Sequence, residues 1–167
     1  MVRYLTLGLD MPEKYLIMMM MWHRWEIAVA ALRIGVVICP ATTLLVDKDI
    51  EFRCQQTHAK VFIGNSVSVE KVQLGRSKCP DLDTVIQIGG FEGEKEDVVD
   101  FKEAIENISS DAQVEERTTN ASHPAILFFT SGTTGLPKMV RHNHVSYPLG
   151  IQPILIFKVS ADFWKLI

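Results

Sequence analysis

Short apolar runs alternate along the chain with segments whose apolar residues recur at helical spacing. Each apolar run is bounded by glycine, proline or polar residues, a pattern typical of short buried strands. The predicted strands are Tyr15–Met20, Val36–Cys39, Lys60–Ile63, Thr84–Ile88 and Ala125–Phe129. The intervening segments predict helices over Arg24–Arg33, from Asp47, over Ser66–Lys78 and from Asp100, with polar loops over Phe91–Val98 and Ser109–Ser122.

The first predicted helix is alanine-rich and apolar almost all round. Trp25, Val29 and Leu32 recur in it at helical spacing. This pattern predicts a helix that is buried on most sides and ends at Gly35, because glycine often follows the last helical turn. Trp22, Trp25 and the four methionines at 18 to 21 are accordingly expected in the core rather than in a ligand pocket.

Two acidic residues mark the starts of later helices. Asp47 is a predicted N-cap, and Ile50 and Cys54 fall on one face of the helix that follows it. Asp100, with Glu103 three residues later, gives a second helix start signal.

Strands that alternate with helices predict an α/β fold, in which a mostly parallel sheet is flanked by helices. Residues 1–14 have weak periodicity and are interpreted as a lead-in, and residues 15–167 as a partial domain. Parallel sheets of this kind bind ligands beyond the carboxyl ends of their strands. The stretch after Phe129 lies at such an end and is therefore the first place to look for a site.

Composition narrows the possible functions. The 167 residues are 47% hydrophobic and carry a net charge of −3, so no basic surplus indicates nucleic-acid binding. The three cysteines, Cys39, Cys54 and Cys79, are far apart in sequence, which favours unpaired, buried thiols in a reducing compartment. His142 and His144 flank Asn143 and could hold a metal, but the absence of a nearby third ligand favours a metal-free interpretation.

No targeting or membrane segment is evident in the sequence. The longest apolar run, Tyr15–Trp22, is too short for a bilayer, which needs about 20 residues. Asp10 and Glu13 precede this run where a signal peptide would carry positive charge. The N-terminus also lacks the arginine and serine content of a mitochondrial transit peptide.

The stretch after Phe129 has the parts of a phosphate-binding loop. Glycines let the backbone bend and approach an anion, hydroxyl groups add donors, and a terminal lysine adds a mobile positive charge. The candidate nucleotide-binding residues are Thr130, Ser131, Gly132, Thr133, Thr134, Gly135, Leu136, Pro137 and Lys138. The Walker pattern does not apply, because Leu136-Pro137 separates Gly135 from Lys138. An ordinary Gly/Ser/Thr turn is the alternative, but the buried strand before and Pro-Lys after favour a phosphate loop.

This loop resembles that of the AMP-forming acid ligases, the adenylate-forming superfamily, at every position of its motif. The segments 25–40 and 49–63 are similar to an early helix and strand, and then the next helix and strand, of these enzymes. Met139 and His142 resemble the medium-chain acyl-CoA synthetases in particular, and His144 matches a histidine of the wider superfamily. His142 and His144 are therefore candidate substrate-side residues, with polar loop residues as the equal alternative.

The resemblance implies a two-step reaction. A carboxylic acid attacks ATP to give acyl-adenylate and pyrophosphate, and coenzyme A then displaces AMP. Residues 130–135 and Lys138 would hold the β- and γ-phosphates, while Leu136 and Pro137 would shape the turn. Magnesium would accompany the nucleotide, and the mitochondrial matrix is the location that the family implies. A genuine stand-alone product without a transit peptide would instead be cytosolic.

The chain ends at Ile167, 29 residues past Lys138. The resemblance implies that the adenine pocket, the metal-binding glutamate, the ribose-binding aspartate and the small C-terminal domain with its catalytic lysine are missing. No catalytic residue is therefore assigned, little or no turnover is expected from this chain alone, and uncovered apolar surface is expected. The alternatives are a non-catalytic module that binds nucleotide phosphates or pairs with a full-length ligase, and a truncated product without function.

Overall fold

The computed structural model describes residues 15–19, 24–90, 97–109, 119–131, 135–146 and 149–150. Within this part of the chain, seven strands and four α-helices alternate over most of the length. The strands are β1 (Tyr15–Met19), β2 (Val37–Pro40), β3 (Val61–Gly64), β4 (Thr84–Gln87), β5 (Val98–Asp100), β6 (Pro124–Thr130) and β7 (Lys138–Asn143). The helices are α1 (Arg24–Arg33), α2 (Asp47–Thr57), α3 (Ser66–Leu74) and α4 (Phe101–Glu106), with a 3₁₀ turn at Arg76–Lys78.

All seven strands form one sheet in the order β5-β4-β3-β1-β2-β6-β7. Every neighbouring pair is parallel except β6 and β7, which form an antiparallel hairpin. The predicted mostly parallel α/β fold is confirmed, and its parallel strands place their carboxyl ends along one edge. None of the helices in the described residues is long and apolar enough to cross a bilayer.

The two faces of the sheet carry separate cores. One contains α1 residues such as Ile27 and Ala31 packed on Ile38 and Ile63. The other contains Ile50 and residues of the second and third helices, and all three cysteines belong to it. The cysteines are buried, as predicted, at 0% (Cys39), 2% (Cys54) and 4% (Cys79) exposure.

The burial predicted for α1 is wrong. Trp25 is 74% exposed and Val29 is 56% exposed, whereas Ile27, Ala30 and Ala31 are buried. A single helix layer covers the sheet with one face only, and the small alanines allow that face to approach closely. The large side chains of α1 are consequently on its outer face.

The helix starts differ from one another. Asp47 is not the N-cap of α2; Val46 holds that position without a side-chain hydrogen bond, and Asp47 lies in the first turn, where its charge complements the helix dipole. The Asp100 start signal is confirmed, because its carboxylate accepts a 2.7 Å hydrogen bond from the Glu103 N–H.

Three further segments differ from the predictions. The helix predicted over 66–78 ends at Leu74, and Gly75 separates it from the 3₁₀ turn. The short strand β5 falls at the end of the loop predicted over 91–98, whose residues 91–96 lie outside the described part of the chain. The segment 138–143 forms strand β7, for which no strand was predicted, so His142 lies on a strand and not in the polar loop that was its alternative interpretation.

Candidate functional site

The candidate phosphate loop connects the two strands of the β6–β7 hairpin. Ile126 of β6 pairs with Ile38 of β2, so Thr130 lies two residues beyond the level of Pro40, where β2 ends. At the rise of an extended strand, the hairpin therefore projects about 7 Å past the end of β2. The predicted loop thus leaves the carboxyl edge of the sheet, where parallel α/β folds bind ligands.

The root of the loop is closed by a pair of its predicted residues. Thr130 and Lys138 pair across the hairpin, and the Thr130 hydroxyl donates a 3.3 Å hydrogen bond to the Lys138 carbonyl. Thr130, Ser131 and Lys138 are all exposed. Gly132, Thr133 and Thr134 lie outside the described residues.

Gly135 shows why the loop needs a glycine. Its φ is +138°, a backbone conformation that residues with a side chain rarely adopt. Among the described residues other than its chain neighbours, no group lies within 4 Å of the position that a Cβ would take, so this side of Gly135 is open to them. Leu136 is 72% exposed beside it, and Pro137 is half-buried before β7 begins.

The Lys138 ammonium is available to a ligand. No ion pair within the described part of the chain involves it, and its side chain is exposed. A lysine ammonium is a compact charge on a flexible stem that suits phosphate oxygens. No group of three or more metal-ligating side chains (His, Cys, Asp or Glu) occurs among the described residues.

Two residues of α2 pack beneath the loop, and sequence analysis had given neither a role. The Phe52 and Phe129 rings meet edge to face with centroids 6.1 Å apart. The Arg53 guanidinium lies over the Phe129 ring, with its Cζ 4.6 Å from the centroid. Phe129 is the last residue before Thr130, so α2 supports the strand end from which the loop departs.

A second loop at the carboxyl edge follows β2. The Lys71 ammonium of α3 donates a 2.7 Å hydrogen bond to the Leu45 carbonyl and a weaker 3.5 Å bond to the Thr43 carbonyl. Leu44 is 86% exposed at the tip of this loop. Lys71 is thereby occupied with backbone carbonyls, in contrast to Lys138.

His142 and His144 lie away from the phosphate loop. His142 is four residues past Lys138 on β7, and a strand rises about 3.3 Å per residue, so it is about 13 Å away along the strand; His144 lies in the turn that follows the end of β7 at Asn143. His142 is half-buried and packs edge to face on Phe128 with centroids 5.7 Å apart. The structure therefore does not bring either histidine to the loop itself.

His144 lies at the amino end of β6. Its N–H donates a 3.1 Å hydrogen bond to the His123 carbonyl, and its Nε2 is buried with no hydrogen-bond partner among the described residues. Burial lowers the pKa of His144, and the nearby His123 lowers it further. Both effects favour the neutral imidazole.

The three cysteines cluster in space but are not activated. Burial raises the pKa of Cys39 to about 12, with a smaller opposing effect from the Arg53 charge. Burial also raises the pKa of Cys54, and its proximity to Cys79 raises it further. Thiols in this state are poor nucleophiles, which agrees with the predicted structural role.

The sequence pattern of one protein family, described as "AMP-binding enzyme", matches residues 3–156. Curated relatives include the human acyl-coenzyme A synthetase ACSM3, mitochondrial, which is 37% identical over 140 residues, or 84% of this chain. The human acyl-coenzyme A synthetase ACSM1, mitochondrial, is 34% identical over 148 residues, or 85% of this chain. The chain spans 22% and 25% of the length of these two relatives.

Solved structures show the same architecture. The anthranilate CoA ligase AuaEII, in complex with anthranoyl-AMP, superposes with a TM-score of 0.79 at 25% identity, covering 90% of this chain and 29% of that chain. A red-emitting luciferase from Phrixothrix hirtus gives a TM-score of 0.68 at 18% identity over 87% of this chain and 28% of its own, a likeness of fold alone.

Proposed function

Because the chain belongs to the AMP-binding enzyme family, we propose that it is the phosphate-binding part of an AMP-forming, medium-chain acyl-CoA ligase. The intact enzyme would join a carboxylic acid to coenzyme A at the expense of ATP, releasing AMP and pyrophosphate. The single observation that carries this proposal is the exposed Lys138 ammonium at the mouth of a glycine-containing loop, which leaves the carboxyl edge of a parallel sheet.

Each described loop residue has a role suited to a phosphate ligand. The Lys138 ammonium would contact the β- and γ-phosphates, and the open space beside Gly135 would let the ligand approach the backbone. The Thr130 hydroxyl already donates to the Lys138 carbonyl, so it would hold the root of the loop closed, and its single proton would have to leave that carbonyl to reach a phosphate oxygen. Ser131, Gly132, Thr133 and Thr134 complete the proposed loop, and Leu136 and Pro137 shape its turn.

Magnesium would enter with the nucleotide. Mg²⁺ is commonly held by substrate phosphates and water together with one or two carboxylates, so a preformed cage of protein ligands is not required. Its charge would offset the negative charge that develops on the departing pyrophosphate, as Lys138 would from the protein side.

The proposal is tested by titrating magnesium pyrophosphate and MgATP into the 167-residue chain by calorimetry. We expect both to bind, and we expect Lys138→Met to weaken pyrophosphate binding by about tenfold or more, because a charge-assisted contact is lost. Lys102→Met is the matched control, because it removes the same charge from a side chain that is 83% exposed on α4. The Lys102 ammonium lies 3.8 Å from the Glu106 carboxylate, and an exposed ion pair of this kind contributes little.

The binding data distinguish a specific phosphate site from a general effect of charge. No heat with either ligand would rule out a phosphate site formed by this chain. Equal weakening by Lys138→Met and Lys102→Met would show a general charge effect in place of a specific contact.

Catalysis by this chain alone is a separate expectation. We expect no acid-dependent ATP–pyrophosphate exchange, because the chain spans only 22–25% of the two relatives described above. Exchange above background by the purified chain would contradict this and would mean that these residues suffice for adenylation.

A second candidate function is pairing with a full-length ligase. It is favoured by exposed apolar side chains along the hairpin edge: Leu136 (72%), Met139 (49%), Val140 (38%) and Val145 (42%). Met139 and Val140 lie on opposite faces of β7, so apolar side chains are exposed on both faces of this strand, as at an edge that another protein segment covers. Co-elution with a full-length medium-chain synthetase that is abolished by Val140→Lys would support it, and separate elution at micromolar concentrations would argue against it.

The mitochondrial matrix is the proposed location, since the relatives bear mitochondrial names. Fractionation of cells that express the tagged natural protein would test the location, with a cytosolic signal as the contrary result.

For His142 and His144 we propose substrate-side roles. Because both lie away from the phosphate loop, they would contact the substrate at a different place.

A further inference from the structure

Arg53 is a cation for which the described residues provide no ion-pair partner. No ion pair involves its guanidinium in the part of the chain that the structure describes, and its Nε is buried with no hydrogen-bond acceptor. Buried polar groups are nearly always satisfied, so an orphaned donor on a charged side chain needs an explanation. Its guanidinium lies over an aromatic ring, that of Phe129.

The Phe129 ring lies where strand β6 meets the candidate phosphate loop. Phe129 lies one residue before Thr130, pairs with Met139 across the hairpin, and also meets Phe52 of α2. A guanidinium stacked on a ring restrains both groups, since the planar cation and the face of the ring attract each other. The ring is therefore held from α2 at the point where the hairpin leaves the packed sheet.

The positive charge of Arg53 also acts on the carboxyl end of β2. Burial raises the pKa of Cys39 to about 12, and the Arg53 guanidinium opposes that effect. Arg53 is thus close enough to the end of β2 to be felt there electrostatically. A charge that is only partly solvated is screened less than one at the surface, so it also favours negative charge at the neighbouring loop.

We propose that Arg53 is a positioning residue for the phosphate loop, acting through Phe129, an inference that rests on the proposed phosphate-binding function. The guanidinium over the Phe129 ring fixes the strand end at Phe129 and Thr130, and its charge, which has no ion-pair partner among the described residues, lies against the residue that precedes the loop. Arg53 restrains the loop from the α2 side, whereas Lys138 would contact the ligand.

The first experiment needs no ligand. Amide hydrogen exchange is measured by NMR on the intact 167-residue chain at Phe129, Thr130 and Met139, relative to amides of β4. We expect Arg53→Met, which keeps the length of the stem but loses the planar cation, to raise these relative rates by about tenfold, because local opening is easier without the stacking. Arg53→Lys should give a smaller increase, and Lys102→Met none.

The second experiment measures magnesium pyrophosphate affinity in the same variants. Arg53→Met should weaken binding severalfold, Arg53→Lys should restore part of the loss, and the salt dependence of binding should be shallower in Arg53→Met than in the wild type. A variant that only lowered global stability would leave that salt dependence unchanged.

The two experiments test the positioning role of Arg53 separately from the proposed phosphate site. Unchanged relative exchange in Arg53→Met would overturn the positioning role, whether or not the chain binds pyrophosphate. Faster local exchange in a chain that does not bind pyrophosphate would support positioning of the hairpin and count against the proposed phosphate site instead. If Arg53→Met does not fold, Arg53→Lys supplies the same comparison.

Discussion

The β3–β4 region and the β6–β7 hairpin belong to one sheet but are built in opposite ways. Phe62 and Ile63 of β3 are completely buried between two helix layers. Met139 and Val140 of β7 are 49% and 38% exposed at the free edge. The first region gains its stability from apolar burial, whereas the second offers backbone, hydroxyl and ammonium groups to solvent.

This difference separates the residues that keep the fold from those that are candidates for function. A loop on a rigid scaffold can vary without unfolding the scaffold, which is why binding residues concentrate in such loops. Arg53 and Phe129 connect the two regions, since they join α2 to the hairpin root. Substitutions in the packed region are therefore expected to lower the free energy of unfolding more than substitutions at the hairpin.

The largest effect is expected from Phe62→Ala. Phe62 is fully buried, so its removal should lower the free energy of unfolding by about 3–5 kcal/mol through lost burial and a residual cavity. Met139→Ala on β7 should change it by less than about 1 kcal/mol, because the side chain is half exposed. Urea unfolding followed by circular dichroism measures both, with Phe62→Leu as a milder substitute if Phe62→Ala is unfolded. Equal losses would remove the distinction between the two regions.

A smaller effect is expected at Gly64, which ends β3. A Cβ there would lie 2.9 Å from both the Phe62 ring and the Ser68 Cβ. Gly64→Ala should therefore cost about 1–3 kcal/mol by overpacking. Gly75→Ala is the control, because its Cβ would meet Glu51 at 3.5 Å or more with an ordinary negative φ. Thermal unfolding of the two variants is the measurement, and a wild-type midpoint for Gly64→Ala would show that the packed region can yield.

The N-cap of α3 should contribute less again. The Asn65 side chain accepts a 2.9 Å hydrogen bond from the Ser68 N–H, so Asn65→Ala should cost about 1 kcal/mol. The reverse change is available at α2, where Val46 has cap geometry but no side-chain bond. Val46→Asn should raise the urea midpoint of unfolding, and a lowered midpoint would indicate that Val46 is held by packing instead.

The smallest effect concerns pH at the hairpin. The pKa of His144 is lowered in the folded protein, so on acidification the unfolded chain takes up the proton first. Stability should therefore fall as pH drops below about 6.5, the ordinary histidine pKa. His144→Gln should weaken this decline between pH 7 and 5, with His123 left in place in both proteins. Parallel pH profiles of urea unfolding would show that His144 does not contribute.

The packed region and strand β6 were largely predictable from sequence, and strand β7 of the hairpin was not. Continuous apolar runs such as Val61–Ile63 identify buried strands because both of their faces are covered. Strand β7 escaped prediction because four of its six residues are polar or charged, and only pairing with β6 makes it a strand. Trp25 was misplaced because its size indicates burial, while the alanines of α1 make the actual contact.

The candidate site divides in the same way. Its loop was found from a local motif between residues 130 and 138. The contact of Arg53 with Phe129 joins residues far apart in sequence. The spacing of residues within a helix predicts which of them share a face, but it does not predict which strand residue that face contacts. Its only local signal, a basic residue beside Phe52 on α2, is equally typical of a solvent-facing arginine.

The exposed border of β7 has a consequence for handling the protein. Among the described strands, β7 lies at the edge of the sheet; such a strand is a template on which other chains can add, and the apolar side chains of Met139 and Val140 would favour this addition. Lys138 and Arg141 bracket these two side chains, and like charges repel when identical edges approach. The cation proposed to attract phosphate would thus also act as a gatekeeper against aggregation, so phosphate-rich or high-salt buffers would weaken that protection.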